Sequence, residues 1–380
     1  MTDLVTRVRR RMVTDDADLI DLVRTENDGI VDDSVLATLR RDVEAELVGA
    51  GPLEPLLATP GVTDVLVTAP DAVWVDRGSG LERAAVRFAD DAAVRRLANR
   101  LVAAAGRRLD DAMPYADVTL PDGSRLHVVL PPLVERPALS LRVLARAKRD
   151  LDELGRAGTF SFEIGAVLRA IVAARLAVVV SGGTGVGKTT LLGALLALVP
   201  CDERLLIIED CRELMIEHPH VVRLVTRTAN VEGGGAVGMR ELVRLSLRMR
   251  PDRIVVGEFR GAEMVELLVA LNTGHEGGAA TVHANSAADV PARLVALGSL
   301  GGVGSATVAS LASSAIDVVV QLCRRGGVRS VREIGLLESA GDGLQVRSVW
   351  SAAAGFGPAR IDLGALIADR GAPVPVALRP

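Results

Sequence analysis

The stretch that most constrains this chain is Gly182 to Thr189, GGTGVGKT, which joins the apolar run Ala177 to Ser181 to a leucine-rich segment, LLGALLAL, beginning at Leu191. Glycines between a strand and a helix let backbone N–H groups converge on an anion at the positive end of the helix dipole. The spacing G-x-x-x-x-G-K-[ST] adds chemistry to that cradle. Gly182, Gly183, Thr184, Gly185, Val186 and Gly187 form the loop, and Lys188 reaches β- and γ-phosphates. Thr189 offers its hydroxyl to Mg2+, and the binding stretch ends at Thr190. ATP with Mg2+ is the expected cofactor. Only two of the 44 basic residues are lysines, Lys148 and Lys188, so the lysine in this loop stands out from an arginine-rich background.

The texture of the chain predicts an α/β protein with a RecA-like P-loop NTPase core and a smaller N-terminal α/β domain. Residues 1–50 alternate charged and aliphatic positions at helical spacing and predict a helical N-terminal extension. Residues 51–145 read as the smaller domain. VTDVLVT, AVWVDRG, DVTLPDGSRLHVVL and ALSLRVLA are strands with turn signals, and Asp90 to Arg107 is an amphipathic helix. Residues 146–158, charged and glycine-bounded, read as a linker. From 159 to 338, AVVVS, RLLIIED and RIVVGE are the unbroken apolar runs of strands buried on both faces of a mainly parallel sheet. Residues 339–380, rich in Gly, Ala and Pro with weak periodicity, are expected to form a partly unstructured tail.

Composition excludes several classes. Arg169 and Arg175 interrupt the most apolar stretch, Ile164 to Val180, so no run reaches the roughly 18–20 uncharged residues of a membrane span. The first residues show no export signal. Cys201, Cys211 and Cys323 form no paired framework, which suits a reducing cytoplasmic compartment. A net charge of −4 and eight aromatic residues leave little for base stacking or phosphate neutralisation, so no nucleic acid is expected as a partner.

Hydrolysis needs carboxylates, and an open α/β sheet gathers its ligands at the carboxyl ends of its strands. RIVVGE ends in Glu258, placed to hold Mg2+ through water or to orient the attacking water. RLLIIED ends in Glu209 and Asp210, which would face the same crevice and supply a general base. His275 and His283 bracket a glycine-rich segment. A metal site there lacks a third ligand at sensible spacing, and a hydrogen-bonding sensor of the γ-phosphate is the favoured active role.

The Walker A loop, IEDCREL, LRMRPDRIVVGE followed by RGAE, and NTGHEGG with TVHANS, in this order, closely resemble the secretion ATPases of type II and type IV systems. GPLEPLL, LPDGSRLH and SLRV resemble the N-terminal, PAS-like domain of the same family, specifically its Tad/Flp-pilus branch. The resemblance spans Gly51 to Ile334. It implies an ATP-hydrolysing motor for pilus assembly or protein secretion. Such a motor is a homohexamer, cytoplasmic, and peripheral at the inner face of the membrane through platform proteins. It also implies that Lys188, Glu209, Glu258 and His283 are catalytic and that Thr189 and Glu258 serve the metal. Arg125 and Arg142 of the N-terminal domain would reach the nucleotide, and Arg248 or Arg250 would do so across an interface. Three departures are visible: Val186 replaces a common Ser, Phe259 follows Glu258 where smaller residues are usual, and Gly234 stands where a basic residue is frequent. Two other readings keep the same core, a nucleic-acid translocase and a nucleotide-binding scaffold that does not hydrolyse.

Overall fold

The computed structural model describes residues 49–78, 80–143, 150–227, 234–341 and 343–380. Almost all of the expected helical extension, residues 1–50, lies outside them. The chain divides into two compact units, Met1–Ala145 and Arg146–Pro380.

The first unit is built on a six-stranded antiparallel sheet, with strands β1 (Asp64–Ala69), β2 (Ala72–Asp76), β3 (Leu81–Arg83), β4 (Tyr115–Thr119), β5 (Arg125–Val129) and β6 (Ala138–Arg142). Their order is β3-β2-β1-β6-β5-β4. Strict alternation turns Val65, Val67, Val73, Val75, Leu126, Val128, Leu139 and Leu141 to one face, where all are buried. Helix α1 (Asp91–Ala104) brings Val94, Leu97, Ala98 and Leu101 into the same cluster, and its N-terminus is capped by Asp90, which accepts a hydrogen bond from the Ala93 N–H at 2.7 Å. A one-residue slip of β6 would bury Ser140 and Arg142 in place of two leucines, so the pattern fixes the register.

The second unit contains β7 (Val178–Ser181), β8 (Leu205–Glu209), β9 (Val221–Val225), β10 (Arg253–Val256), β11 (Ala279–Val282), β12 (Val318–Arg325), β13 (Val328–Ala340), β14 (Gly343–Ser351) and β15 (Gly355–Phe356). They form one sheet in the order β15-β14-β13-β12-β7-β11-β10-β8-β9. The segment from β12 to β9 is parallel, and β13, β14 and β15 continue it antiparallel. Every residue of β7, β8, β10 and β11 is buried, as their apolar runs require. Alternate residues divide between two cores. Val178, Val180, Leu205 and Ile207 pack with helices α2 (Leu151–Arg156), α3 (Phe162–Ala173), α4 (Lys188–Leu196) and α9 (Arg360–Asp369). Val179, Ile208, Ile254 and Val256 pack with α5 (Met239–Ser246), α6 (Glu263–Leu271), α7 (Val290–Leu300) and α8 (Ser305–Ala315). Because these central strands are parallel, the ends of β7, β8, β10 and β11 open on the same edge.

Two expected boundaries are corrected. The stretch read as linker contains α2, closed by a capping box in which the Asp150 side chain accepts from the Glu153 N–H at 2.7 Å and Glu153 from the Asp150 N–H at 3.1 Å. Leu151 and Leu154 seat it in the core; charged neighbours hid this apolar pair from the sequence. The stretch read as an unstructured tail completes β13 and supplies β14, β15 and α9. Val349, Leu363 and Ile367 are fully buried there, each stabilising the fold by about 1.5–3 kcal/mol, which outweighs the weak local periodicity. Its helical pattern is masked by Gly364, where a Cβ would stand 2.6 Å from the Leu378 carbonyl oxygen, so glycine occupies an inward position that periodicity expects to be apolar. Among the described residues no helix is long and apolar enough to cross a membrane.

Candidate functional site

The loop from Gly182 to Lys188 leaves β7 and enters α4. Gly182 has φ +151°, and a Cβ there would lie 2.7 Å from a Val186 methyl and 2.8 Å from the Leu322 carbonyl oxygen, so only glycine lets the loop turn this tightly. Val186 is buried in the first core, which accounts for an apolar residue in place of serine. Phe259 is likewise fully buried and belongs to the second core. Gly234 lies in an exposed stretch just beyond the undescribed residues 228–233. Among the described residues, none accepts a hydrogen bond from the backbone N–H groups of Gly183 through Gly187. Five adjacent donors in that condition, leading into a helix N-terminus, fit a phosphate group.

Lys188 is buried. Its Nζ donates to the carbonyls of Gly182 at 3.0 Å and Gly183 at 2.9 Å, and to His283 Nδ1 at 3.1 Å. Burial lowers its pKa, and the charges of Glu258 and Glu213 oppose that shift. With Nδ1 accepting from the ammonium, the imidazole carries its proton on Nε2, which donates to Glu258 Oε1 at 2.7 Å. Burial, reinforced by the Lys188 charge, holds the His283 pKa below its ordinary value and favours this neutral tautomer. Glu258 Oε2 accepts from Arg260 Nε at 2.5 Å, and Arg260 Nη1 lies 3.2 Å from Asp210 Oδ2. A continuous polar line therefore runs from the phosphate loop through Lys188, His283, Glu258 and Arg260 to Asp210, joining the ends of β7, β11, β10 and β8.

Neighbouring bonds hold this line in place. Thr281 Oγ1 donates to the Gly257 carbonyl at 2.7 Å, and the Phe259 N–H donates to the Thr281 carbonyl at 2.8 Å, tying the Glu258 turn to β11. Glu263, buried at the start of α6, accepts from the N–H groups of Arg260 and Gly261 at 2.6 and 2.7 Å. Buried Gln321 accepts from Ser181 Oγ at 2.5 Å and donates to the Asn285 carbonyl at 3.2 Å, linking the end of β7 to the segment after His283.

Glu209 is not part of the line. Its carboxylate is 4% exposed, and Oε1 accepts from the N–H groups of Glu213 and Leu214 at 3.0 and 2.8 Å. Among the described residues Oε2 has no hydrogen-bond partner, and Arg223 Nη1 is 3.7 Å away. Burial raises its pKa against the lowering effect of the two N–H bonds. The expectation that Glu209 opens onto the crevice gives way to a carboxylate spent on folding the turn after β8, a turn that carries Asp210 and Glu213. His275 turns away as well, with Nδ1 on the Ala270 carbonyl at 3.1 Å. Arg248 and Arg250 are exposed beyond α5, and their side chains make no hydrogen bond or ion pair among the described residues. Arg125 and Arg142 belong to the first unit, directly opposite one another on β5 and β6, with Arg142 Nε 3.3 Å from Asp64.

The oxygen donors suit a hard cation. The Thr189 side chain is half-buried and unpaired among the described residues, and each Glu258 oxygen, engaged by one N–H, retains a second lone pair. Sequence reasoning missed Arg260, Glu213 and Gln321. Arg260 and Glu213 lie inside motifs that drew attention for their neighbours, and the signal for Gln321 was a single amide in the apolar run VVVQL.

Residues 46–345 match the family described as Type II/IV secretion system protein. The chain belongs to that family. It is 55% identical over 333 residues to the putative conjugal transfer protein Rv3659c of Mycobacterium tuberculosis, covering 86% of this chain and 94% of that protein. It is 35% identical over 229 residues to the conjugal transfer protein TrbB of Rhizobium radiobacter, covering 59% of this chain and 68% of the relative. Among solved structures it resembles the pilus retraction motor PilT with bound ADP, at TM-score 0.54 and 20% identity over 76% of this chain and 83% of that one, a likeness of fold. Membership of a secretion ATPase family supports nucleotide-dependent work at the level of the family.

Proposed function

We propose that this chain is an ATP-hydrolysing motor that powers pilus assembly or protein secretion through inner-membrane platform proteins. It works as a cytoplasmic homohexamer of the Tad/Flp-pilus branch. The observation that carries the reading is the unbroken contact from Lys188 through His283 to Glu258, which couples the phosphate loop to a strand-end acid. Mg2+ would be held by Thr189 and, through water, by Glu258, and would offset charge on the β- and γ-phosphates. Lys188 neutralises the same phosphates. Glu258 orients the attacking water and takes its proton, and Arg260 keeps that carboxylate aimed. His283, touching both Lys188 and Glu258, moves when either changes partner and so reports the γ-phosphate to β11. Arg125, Arg142, Arg248 and Arg250 are assigned to the nucleotide in the assembled ring, and Glu209 to shaping the acidic turn.

The name conjugal transfer on the relatives favours a second reading, a nucleic-acid translocase, which expects DNA binding that weakens steeply with salt. The deciding experiment for the motor is steady-state phosphate release against protein concentration, with ATP and Mg2+, beside Lys188→Ala. Specific activity is expected to rise with concentration and to vanish in the variant. Unchanged hydrolysis in Lys188→Ala would rule this site out, and binding without phosphate release in the wild type, membranes present or absent, would leave the scaffold reading.

A further inference from the structure

Gln321 is the one polar side chain in the run 318–322, VVVQL, and it is 1% exposed. An amide buried this deeply costs free energy unless its oxygen and its N–H groups find partners. Here each does. Nε2 faces three carbonyls, those of Asn285 at 3.2 Å, Leu322 at 3.3 Å and Ala284 at 3.4 Å. Only a donor fits among three carbonyls, so Oε1 is the end that accepts from Ser181 Oγ at 2.5 Å.

These partners adjoin residues of the polar line. Ser181 ends β7 and precedes Gly182, whose carbonyl holds Lys188 Nζ at 3.0 Å. Ala284 and Asn285 follow His283, whose Nδ1 accepts from the same ammonium at 3.1 Å. The β7–β11 ladder ends with the Ser181–Val282 pair, one residue short of that imidazole. Among the described residues, Gln321 supplies the only hydrogen bonds that the Ala284 and Asn285 carbonyls receive. The Leu322 carbonyl that it also meets is the atom a Cβ on Gly182 would approach to 2.8 Å, so the amide lies against the first peptide of the phosphate loop. The β12–β13 pairing slips by one residue at this point, from Gln321 opposite Glu333 to Leu322 opposite Val331, and bulges of this kind re-aim side chains beside functional sites.

We propose that Gln321 is a positioning residue for ATP hydrolysis, one that sets His283 against Lys188 by clamping the ends of β7 and β11 to β12. The proposal rests on the reading of residues 182–189 as the ATP site. The ladder aligns the backbones only as far as Val282. Beyond it the imidazole has to keep Nδ1 on Lys188 and Nε2 on Glu258 at once, and Gln321 fixes the backbone from which it reaches.

The test compares Ser181→Ala, Gln321→Met and the two together in the full-length protein. Melting temperature, phosphate release at saturating ATP and Mg2+, and the ratio of ATP to ADP affinity are measured on each. Gln321→Met keeps the side-chain length and strands the Ser181 hydroxyl, so stability falls, and kcat is expected to fall by about five- to tenfold, one buried hydrogen bond expressed as a rate. Ser181→Ala leaves the bonds to Ala284 and Asn285 in place, so its turnover falls less. In the double variant both ends of the buried bond are apolar, and the melting temperature is expected to recover toward wild type. Its turnover stays as low as in Gln321→Met, because nothing then holds Ala284 and Asn285. Turnover that recovers together with the melting temperature would overturn the proposal and leave Gln321 a packing residue. The ATP-to-ADP ratio can be read even in variants that do not hydrolyse. It is expected to fall about as far in Gln321→Met as in His283→Ala, and no further when the two are combined. Losses that multiply in that pair would place the effect of Gln321 outside His283 and overturn the proposal as well. A wild type that binds ATP no better than Lys188→Ala fails a different claim, the ATP site itself, and removes this role with it.

Discussion

Glu209 and Glu258 stand at the carboxyl ends of adjacent parallel strands, β8 and β10, and in the sequence they look interchangeable: each comes at the end of a short aliphatic run. Their surroundings separate them. Glu258 is partly exposed and holds two cationic or N–H partners in the crevice, while Glu209 is shut in, with one oxygen on two backbone N–H groups and the other without a hydrogen bond. The lesson is that position along a strand decides only which edge an acid reaches. The chain that follows decides what the acid does. After Glu258 the chain turns into Phe259, which is drawn into the core and leaves Arg260 to meet the carboxylate. After Glu209 it curls back, so that Glu213 and Leu214 present their N–H groups to the side chain.

The sharpest way to break this contrast is to make the same change at both acids and read turnover and stability separately. Glu258→Gln is expected to lower steady-state phosphate release by about 10²–10⁴-fold, the range for removal of a positioned base, while ATP binding and the melting temperature stay close to wild type. Normal turnover in that variant would move the critical carboxylate elsewhere. Glu209→Ala is expected to show the opposite balance. It strands one buried and one part-buried N–H group, so denaturant unfolding should report a loss of about 2–3 kcal/mol. Its turnover, measured where the protein remains folded, should fall by less than about tenfold, the allowance for a disturbed Asp210 and Glu213. A Glu209→Ala protein as stable as wild type but catalytically dead would reverse the assignment.

The contrast also shows where the sequence was informative. The strands β7, β8 and β10 were legible because they are buried on both faces, which writes an unbroken apolar run. Lys188 and Glu258 were legible because the phosphate loop has a spacing of its own and a parallel sheet collects its strand ends. Burial of Glu209 was not legible, since it depends on a turn four and five residues later that no local pattern announces. Nor was the contact of Arg260, which reaches across to Asp210 just beyond the end of β8. In α9, a glycine on the inward face at Gly364 removed the periodic signal that would have marked the helix.

The smallest expected effect is a pH dependence that belongs to Glu209 and not to Glu258. Burial raises the Glu209 pKa in the folded protein above the ordinary carboxylate value of 4.5. Between that value and the raised one, the folded state binds more protons at this site than the unfolded chain does. Stability contributed by the group is therefore present at the acid end of the window and is lost as pH rises through it. Glu209→Gln holds the neutral form at every pH and should remove that slope, because the amide oxygen still accepts from the Glu213 and Leu214 N–H groups. Measured as the difference in unfolding free energy between wild type and variant, the wild type should lose ground as pH climbs from 4.5 toward neutrality. Curves that stay parallel would mean that Glu209 titrates alike in both states. A divergence of the opposite sign would place an unrecognised positive partner against the second oxygen, and Arg223, at 3.7 Å, is the first residue to substitute in that event.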